Sequence, residues 1–343
     1  MTNQSVEWIK AGRRQRRRRW VIVTVLLTVS ALMLCCAMLF LGNTVYPVKD
    51  VVRALSGEQI KGVSFAVNTI RLPRMLAGLM AGFAFGLAGN TFQTMLRNPL
   101  ANPNVIGITA GSSAAAVFCI IVLHASEAVV SAASVLAGLA AATVIYLLSN
   151  RKPFSIGRLI LVGIGMQAML NAFISYLLLI GAQQDLPAAL RWLSGSLNGS
   201  QMHELPPLAV TVLLCAPIVI LLGRHLNLLE LGESAATSLG LRTDMTRVAL
   251  ILSSVFLLAI ATAATGPIAF VAFLSGPIAK RLVGAGFSNA LPAGLVGANL
   301  VLAADLIGQN LFEVRFPVGV ITGMLGAPYL ILLLIRMNRK GSF

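Results

Sequence analysis

Acidic residues are scarce in this sequence: eleven Asp and Glu stand against twenty-six Lys and Arg in 343 residues. Charged residues make up 11% of the chain, where a soluble domain carries about 25%. That excludes a chain that meets water on every side. No polar linker divides the apolar runs into separate soluble units either, so one continuous membrane domain is expected. Of the eleven acids only Asp305 falls inside an apolar run, in keeping with a penalty of roughly 2.5–3.5 kcal/mol for an acid at the centre of a membrane helix. Reactive clusters are missing as well. There is no GxxxxGK[ST] phosphate loop, and His203-Glu204 runs into Leu205-Pro206-Pro207 instead of completing an HExxH helix. The three histidines fall in different loops or run ends, and the four cysteines sit in apolar runs with no CxxC among them. No catalytic group, no metal site and no cofactor bound by the chain are expected, which disfavours a membrane enzyme. A secondary carrier driven by protons needs several intramembrane ionisable groups, and one is too few. The energy for any transport is therefore expected from a partner.

What the sequence does have is apolar length: 57% of its residues are hydrophobic. A helix needs about 20 apolar residues to cross a hydrocarbon core of roughly 30 Å. Ten runs qualify, near 20–42, 67–95, 104–123, 127–149, 157–182, 205–223, 245–265, 266–284, 289–310 and 317–337. The expected fold is all-α, a polytopic membrane protein of about ten transmembrane helices. It divides into a basic tail (1–19), a single transmembrane domain (20–337) with an internal loop at 224–247, and a short second tail (338–343). The run Arg13–Arg19 directly precedes an apolar stretch and reads as a cytoplasmic anchor; so short a tail does not point to nucleic acid. At about 22 residues, the first run exceeds a signal-peptide core, so it is expected to stay as a span.

Charge placement tests the count. With the N-terminus inside, nineteen of the twenty-six basic residues fall in cytoplasmic segments and seven outside. Ten spans with both termini cytoplasmic satisfy the positive-inside rule, and an odd number would scramble it. The second run carries Gly78, Gly82 and Gly86 at intervals of four, a small-residue stripe that lets another helix approach closely. In the fifth run Gln167 and Asn171 share one helix face, either to hydrogen-bond a neighbouring helix or to line a path.

Three stretches then carry a resemblance. They are RLPRMLAGLMAGFAFGLAGNTFQTMLRNPLANPNVIGITAG (71–111), GPIAFVAF followed by Ala279-Lys280-Arg281, and ADLIGQNLF with FPVGVITGMLGAPYLILLL (304–334), with WLSGSLNG (192–199) between them. In order and spacing they resemble the permease family of the ABC importers for iron–siderophore complexes, haem and cobalamin, the type II importers. The resemblance implies ten spans, a bacterial cytoplasmic membrane, a second permease subunit, two ATPase subunits that hold ATP and Mg, and an extracytoplasmic binding protein.

It also implies roles for particular residues. Glu233, Ala235, Ala236, Gly240 and Leu241 resemble the ExAAxxxG element with which such permeases touch their ATPases, Gly240 ending a short helix in a left-handed turn. Leu228, Leu229 and Leu231 would hold that helix against the protein. Arg71 and Arg74, with Gln309 and Arg315, would meet acidic residues of the binding protein. Met166, Gln167 and Asn171, with Met324 beside Gly323, Gly326 and Pro328, would line the translocation path. Many members have Arg and Glu where this chain has Gln309 and Arg315, and Pro-His where it has Pro277-Ile278. The glutamine resembles permeases for ferric catecholate siderophores of the enterobactin type; haem and cobalamin are the alternatives. Arg315 or a neighbouring helix amide is open as the partner of Asp305, and the second permease subunit is expected to be a paralogue or an identical chain.

Overall fold

The computed structural model describes residues 3–42, 44–101, 107–149, 156–230, 232–284 and 286–339. A helix stands on each of the ten runs: α1 (Asn3–Phe40), α3 (Leu72–Met95), α4 (Ile108–Ile121), α5 (Glu127–Ser149), α6 (Ile156–Ile180), α8 (Pro206–Leu221), α11 (Thr243–Thr265), α12 (Val271–Val283), α13 (Ala290–Asn310) and α14 (Val318–Arg339). Between them lie the short helices α2 (Val48–Leu55), α7 (Leu186–Ser194), α9 (Gly223–Glu230) and α10 (Glu233–Ser238). No strand occurs among the described residues.

Seven of these helices are long and apolar enough to cross a membrane by length and composition. The exceptions are α4 with 14 residues, α12 with 13, and α14, whose apolar stretch is Val318–Leu333. The eighth run, expected at 266–284, is therefore not helical throughout, because residues 266–270 bend before α12 begins. The basic tail departs in the other direction. Arg13–Arg19 continue the first span as one helix of 38 residues, about 57 Å at 1.5 Å per residue. Arg19 and Trp20 tie this helix down: Arg19 donates to the carbonyls of Leu282 (2.8 Å) and Arg281 (3.0 Å), and Trp20 Nε1 donates to Ser288 O at 2.9 Å.

The glycine stripe of α3 decides what sits at the centre. A Cβ on Gly82 would lie 2.6 Å from Gly297 O, and one on Gly86 2.3 Å from Ala293 O. The two backbones touch, and α13 answers with its own small residues Ala293, Gly297 and Ala298. Gly89 does the same against α12, where a Cβ would come within 1.8 Å of Ala272 O. Gln93 follows with a second link: its Nε2 donates to Phe273 O at 2.8 Å. That carbonyl is four residues before Pro277, which has no N–H to offer it. The glutamine thus supplies the donor that the proline withholds, where membrane interior offers no water. A second proline acts upstream, where Pro73 follows the seven-residue π-helix Phe65–Arg71, closed by Leu72 N–H on Val67 O. The proline interrupts the regular ladder, and the widened turn absorbs the fault.

A second packing unit joins α4 to α5, where Gly111 abuts Ala137 and Ala141, and Ser112 Oγ donates to Ser134 O at 2.8 Å. Ile174 and Leu177 of α6 and Ala189 of α7 pack on α4 through Ala114, Val117 and Ile121. Burial separates centre from rim: 78% of the α3 window is buried, against 17% for α1 and for α6.

Candidate functional site

The register of α3 against α13 builds one end of the molecule. The helices run antiparallel, and Gly82 meets Gly297 while Gly78 meets Val301 and Leu302. One further step of four on each brings Arg74 to Asp305. Arg74 Nε donates to Asp305 Oδ2 at 2.7 Å and Nη2 to Oδ1 at 2.6 Å, while Nη1 donates to Asn198 Oδ1 at 2.7 Å. The planar guanidinium matches the carboxylate with two parallel bonds. The side chains are 14% and 2% exposed, so little water competes. Asp305 therefore pairs with Arg74, which was not among the two candidates left open in the sequence, Arg315 and a helix amide. The fork reaches α13 because small residues at both crossings let the backbones close.

Arg71 is engaged too. Its Nη1 donates to Leu39 O (2.8 Å) and Phe40 O (3.0 Å), its Nη2 to Thr44 O (2.7 Å), and its guanidinium lies 5.0 Å from the centre of the Tyr46 ring. It caps the C-terminal carbonyls of α1, where a cation suits the helix dipole. Arg71, Arg74, Gln309 and Arg315, the four residues expected to dock a binding protein, all line one cavity of about 370 Å³ with Tyr46 and Asn310. Gln309 Nε2 is buried there without a hydrogen-bond partner. Outside this cavity, on the segment that joins α1 to α3, Arg53 Nη2 donates to Glu58 Oε1 at 2.6 Å. The hydrogen bond from Arg53, with its charge, holds the Glu58 carboxyl below the ordinary glutamate value.

The opposite end carries α9 and α10. Leu226 and Leu229 of α9 are buried, and Leu228 packs beside them; Leu231 and the Glu233 side chain lie outside the described residues. α10 ends in a double cap. Gly240 N–H donates to Thr237 O at 2.9 Å and Leu241 N–H to Ala236 O at 3.1 Å, with Gly240 at φ 82°. This is the left-handed glycine closure expected for Gly240. Ala235 is half-buried and Ala236 wholly buried in the protein's own core, so Ala236 is not offered to a partner. The outward face is Ser234, Thr237, Ser238, Leu239 and Gly240. Lys280 at the end of α12 reaches Glu230 of α9 with Nζ–Oε1 2.7 Å, and the pair ties this surface to the helix that Gln93 anchors.

Between the two ends, the four expected path residues do not converge within the chain. Gln167 is half-buried and Asn171 exposed on α6, while Met166 turns into an apolar groove between α4 and α5 with Phe118, Ala137 and Ala141. Met324 is 62% exposed on α14. The inward face of α14 is Gly319, whose Cβ would lie 1.8 Å from Ser194 O, and Gly326, whose Cβ would lie 2.5–2.9 Å from the Phe270 ring and its Cβ. Phe270 stands at φ 63° and ψ −20° just before α12, and Val271 N–H donates back to Ala269 O at 2.8 Å. That is a γ-turn of the rare, strained hand, which costs on the order of 1–3 kcal/mol for a residue with a Cβ. The ring meets Phe273 edge-on at 6.4 Å. Around it opens a cavity of about 650 Å³ bounded by Phe85, Leu100, Thr109, Leu193 and Leu330. Among the described residues no group of His, Cys, Asp and Glu could hold a metal ion.

The comparisons now bear on this arrangement. Residues 27–336 match the FecCD transport family. The chain belongs to that family. It is accordingly a multi-pass membrane protein of the permease type. It is 36% identical over 300 residues to the ferric enterobactin transport system permease protein FepG of Escherichia coli (strain K12), covering 87% of this chain and 91% of FepG. To FepD, the second ferric enterobactin permease protein of the same organism, it is 37% identical over 309 residues, covering 89% and 92%. A solved metal-chelate type ABC transporter in an inward-facing conformation superposes with a TM-score of 0.80 at 30% identity, covering 92% of this chain and 99% of that one.

Three features of the permease escaped sequence reasoning. The Arg74–Asp305–Asn198 cluster was signalled by steps of four on two runs, from Gly82 back to Arg74 and from Gly297 on to Asp305. Gln93 and Pro277 were visible as residue types, but only their spatial pairing explains them. For the γ-turn at Phe270 no sequence signal exists, since glycine is what such a backbone calls for.

Proposed function

We propose that the chain is the translocation subunit of an ATP-driven importer that carries a ferric siderophore of catecholate type across the bacterial cytoplasmic membrane. The observation that carries this reading is the opposed placement of two surfaces. At one end four expected docking residues surround a single cavity; at the other the capped α10 presents Ser234, Thr237 and Ser238 with Leu239 after them. α3, α13 and α14 run between them, so movement imposed at one surface has a rigid route to the other. In this reading the cavity end faces outward and receives a binding protein, whose acidic groups meet Arg315 and the cavity rim. The α10 end and both chain termini face the cytoplasm and two separate ATPase subunits, which hold ATP and Mg.

The exposed faces of α6 and α14, with Asn171, Gln167 and Met324, are closed by a second permease chain. Similarity to both FepG and FepD, two permeases named for one system, favours a paralogue over an identical copy. The same two relatives, together with Gln309, support a catecholate ligand.

The test is uptake by the assembled transporter in membrane vesicles offered ferric enterobactin, a ferric hydroxamate, ferric citrate, haem and cobalamin. Accumulation of the catecholate, abolished by vanadate, is expected. Accumulation of haem or cobalamin without the catecholate overturns the substrate reading, and vanadate-insensitive uptake overturns the class in favour of a secondary carrier.

A further inference from the structure

We propose that the cavity of about 650 Å³ beside α14 is a stretch of the translocation path, and that the Phe270 ring is its size filter, touched by the ligand as it passes. The inference rests on the permease reading above and goes on to name the residue that discriminates.

The backbone carries the first part of the argument. Among the described residues only Arg97, His124 and Phe270 combine a side chain with positive φ, whereas ten glycines take that region freely. Glycine at 270 would relieve the γ-turn, so a large ring kept at a strained point is held there by something other than local folding. Strain of this kind collects where function fixes a geometry. The turn has one evident consequence: it throws the ring off the start of α12 and onto α14.

Second, the ring is clamped. Gly326 lies so close beneath it that any Cβ would come within 2.9 Å of ring atoms. α14 therefore cannot slide or rotate past this point without moving Phe270, and a displacement of α14 becomes a displacement of the ring. Third, the space beside the ring is half open, and its volume falls within the range of small-ligand pockets. Its described walls come from α3, α4, α7, α12, α14, the segment that leads out of α3 and the bend at 267–270. Among the described residues that line it no side chain is charged, and Thr109 is the one polar side chain. Such walls offer a bulky chelate weak contact with its apolar and aromatic faces, as passage without trapping requires. Fourth, Gly326 and Leu330 lie about 12 and 18 Å along an α14 of about 33 Å, so the cavity sits between the two ends described above.

The test has two arms. In membranes containing the complete transporter, Cys35, Cys36, Cys119 and Cys215 are replaced by Ser or Ala. Phe270→Cys, Leu330→Cys and, as a core control, Leu257→Cys are then exposed to a water-borne sulfonated methanethiosulfonate. Reaction at 270 and 330 but not at 257 is expected. Silence at 270 and 330, or reaction there with lipid-soluble N-ethylmaleimide alone, overturns the path assignment, whatever the ligand is.

The second arm measures uptake of ferric enterobactin against the smaller ferric citrate in Phe270→Gly, Phe270→Leu and Gly326→Ala. Gel filtration and thiol-independent thermal unfolding confirm that each variant is folded. The ratio of the two uptake rates is expected to shift at least threefold in Phe270→Gly, with a change also in Gly326→Ala, which reaches the same ring from α14. Parallel loss of both rates with an unchanged ratio overturns the filter. Failure of the unsubstituted transporter to carry either chelate would refute the proposed substrate instead, and would leave the labelling result standing.

Discussion

Replacing Asp305 by Ala removes one half of the fork that joins α3 to α13. The magnitude follows from burial. Arg74 would keep Asn198 as its partner but lose two charge-assisted bonds, with its side chain 14% exposed and Asp305 at 2%. Breaking a buried ion pair from one side costs about 3–5 kcal/mol, because the orphaned charge stays desolvated. The remaining bond to Asn198 and the nearby cavity place Asp305→Ala at the lower end, about 3 kcal/mol, or roughly a hundredfold in the folding constant. Arg74→Met should cost about as much, for the mirror reason. The double variant Arg74→Met with Asp305→Leu should recover most of the loss, to within about 1 kcal/mol, because apolar residues of similar volume replace a buried pair at little net cost. Reversible unfolding in mixed SDS micelles gives all three values, and the cycle isolates the coupling between the two sites. Single losses below about 1 kcal/mol, or strictly additive singles and double, would refute the claim that this pair holds these ends of α3 and α13 together.

Other outcomes follow from the same packing. Gly86→Val should abolish the close crossing of α3 and α13, since even the first carbon would lie 2.3 Å from Ala293 O; loss of the monodisperse gel-filtration peak checks it. Gln93→Leu leaves Phe273 O buried without the donor that Pro277 lacks, at a cost of about 1–3 kcal/mol, read from the same micelle unfolding. Gly240→Val meets nothing within 4 Å but sits at φ 82°, so about 1–2 kcal/mol of strain is confined to the α10 cap. It should lower iron carried per ATP hydrolysed while the fold survives, and normal coupling would speak against α10 as the contact. At the exposed Arg53–Glu58 pair the glutamate value is depressed. Its contribution is therefore present above the unfolded glutamate value and lost as pH falls through the folded one. Because both side chains are about half exposed, that contribution is small: Arg53→Ala should lower the unfolding midpoint only slightly at neutral pH, and less still in acid.

Helices were legible in the sequence because apolar length and the placement of Lys and Arg are one-dimensional signals. Each of the ten runs carries a helix, and the Gly78–Gly82–Gly86 stripe is used for the close approach it implies. Where the reading and the fold part company, backbone irregularity is the reason. The run at 266–284 looked long enough to span, yet Gly266 and the turn at Phe270 leave 13 residues of helix. Hydropathy does not register that loss, because Gly, Pro, Ala and Phe in the bend are as apolar as a helix would be. Arg13–Arg19 read as a basic cytoplasmic tail, whereas they continue α1 as helix, and Arg19 and Trp20 hydrogen-bond the last turn of α12 and Ser288 beyond it. At the candidate site, residue types such as Arg71, Arg74, Gln309 and Arg315 could be picked out. The engagement of both RLPR arginines within the chain could not, since it depends on which carbonyls and which carboxylate two distant helices bring to them.

The central claim is that this chain conducts and does not drive. One measurement tests it most directly: accumulation of ⁵⁵Fe-enterobactin in lipid vesicles containing either the purified chain alone or the chain with the proposed partner permease, ATPase subunits and binding protein. Concentration against a gradient is expected with the full set and ATP, and none with the chain alone. Uphill accumulation by the solitary chain would contradict the account.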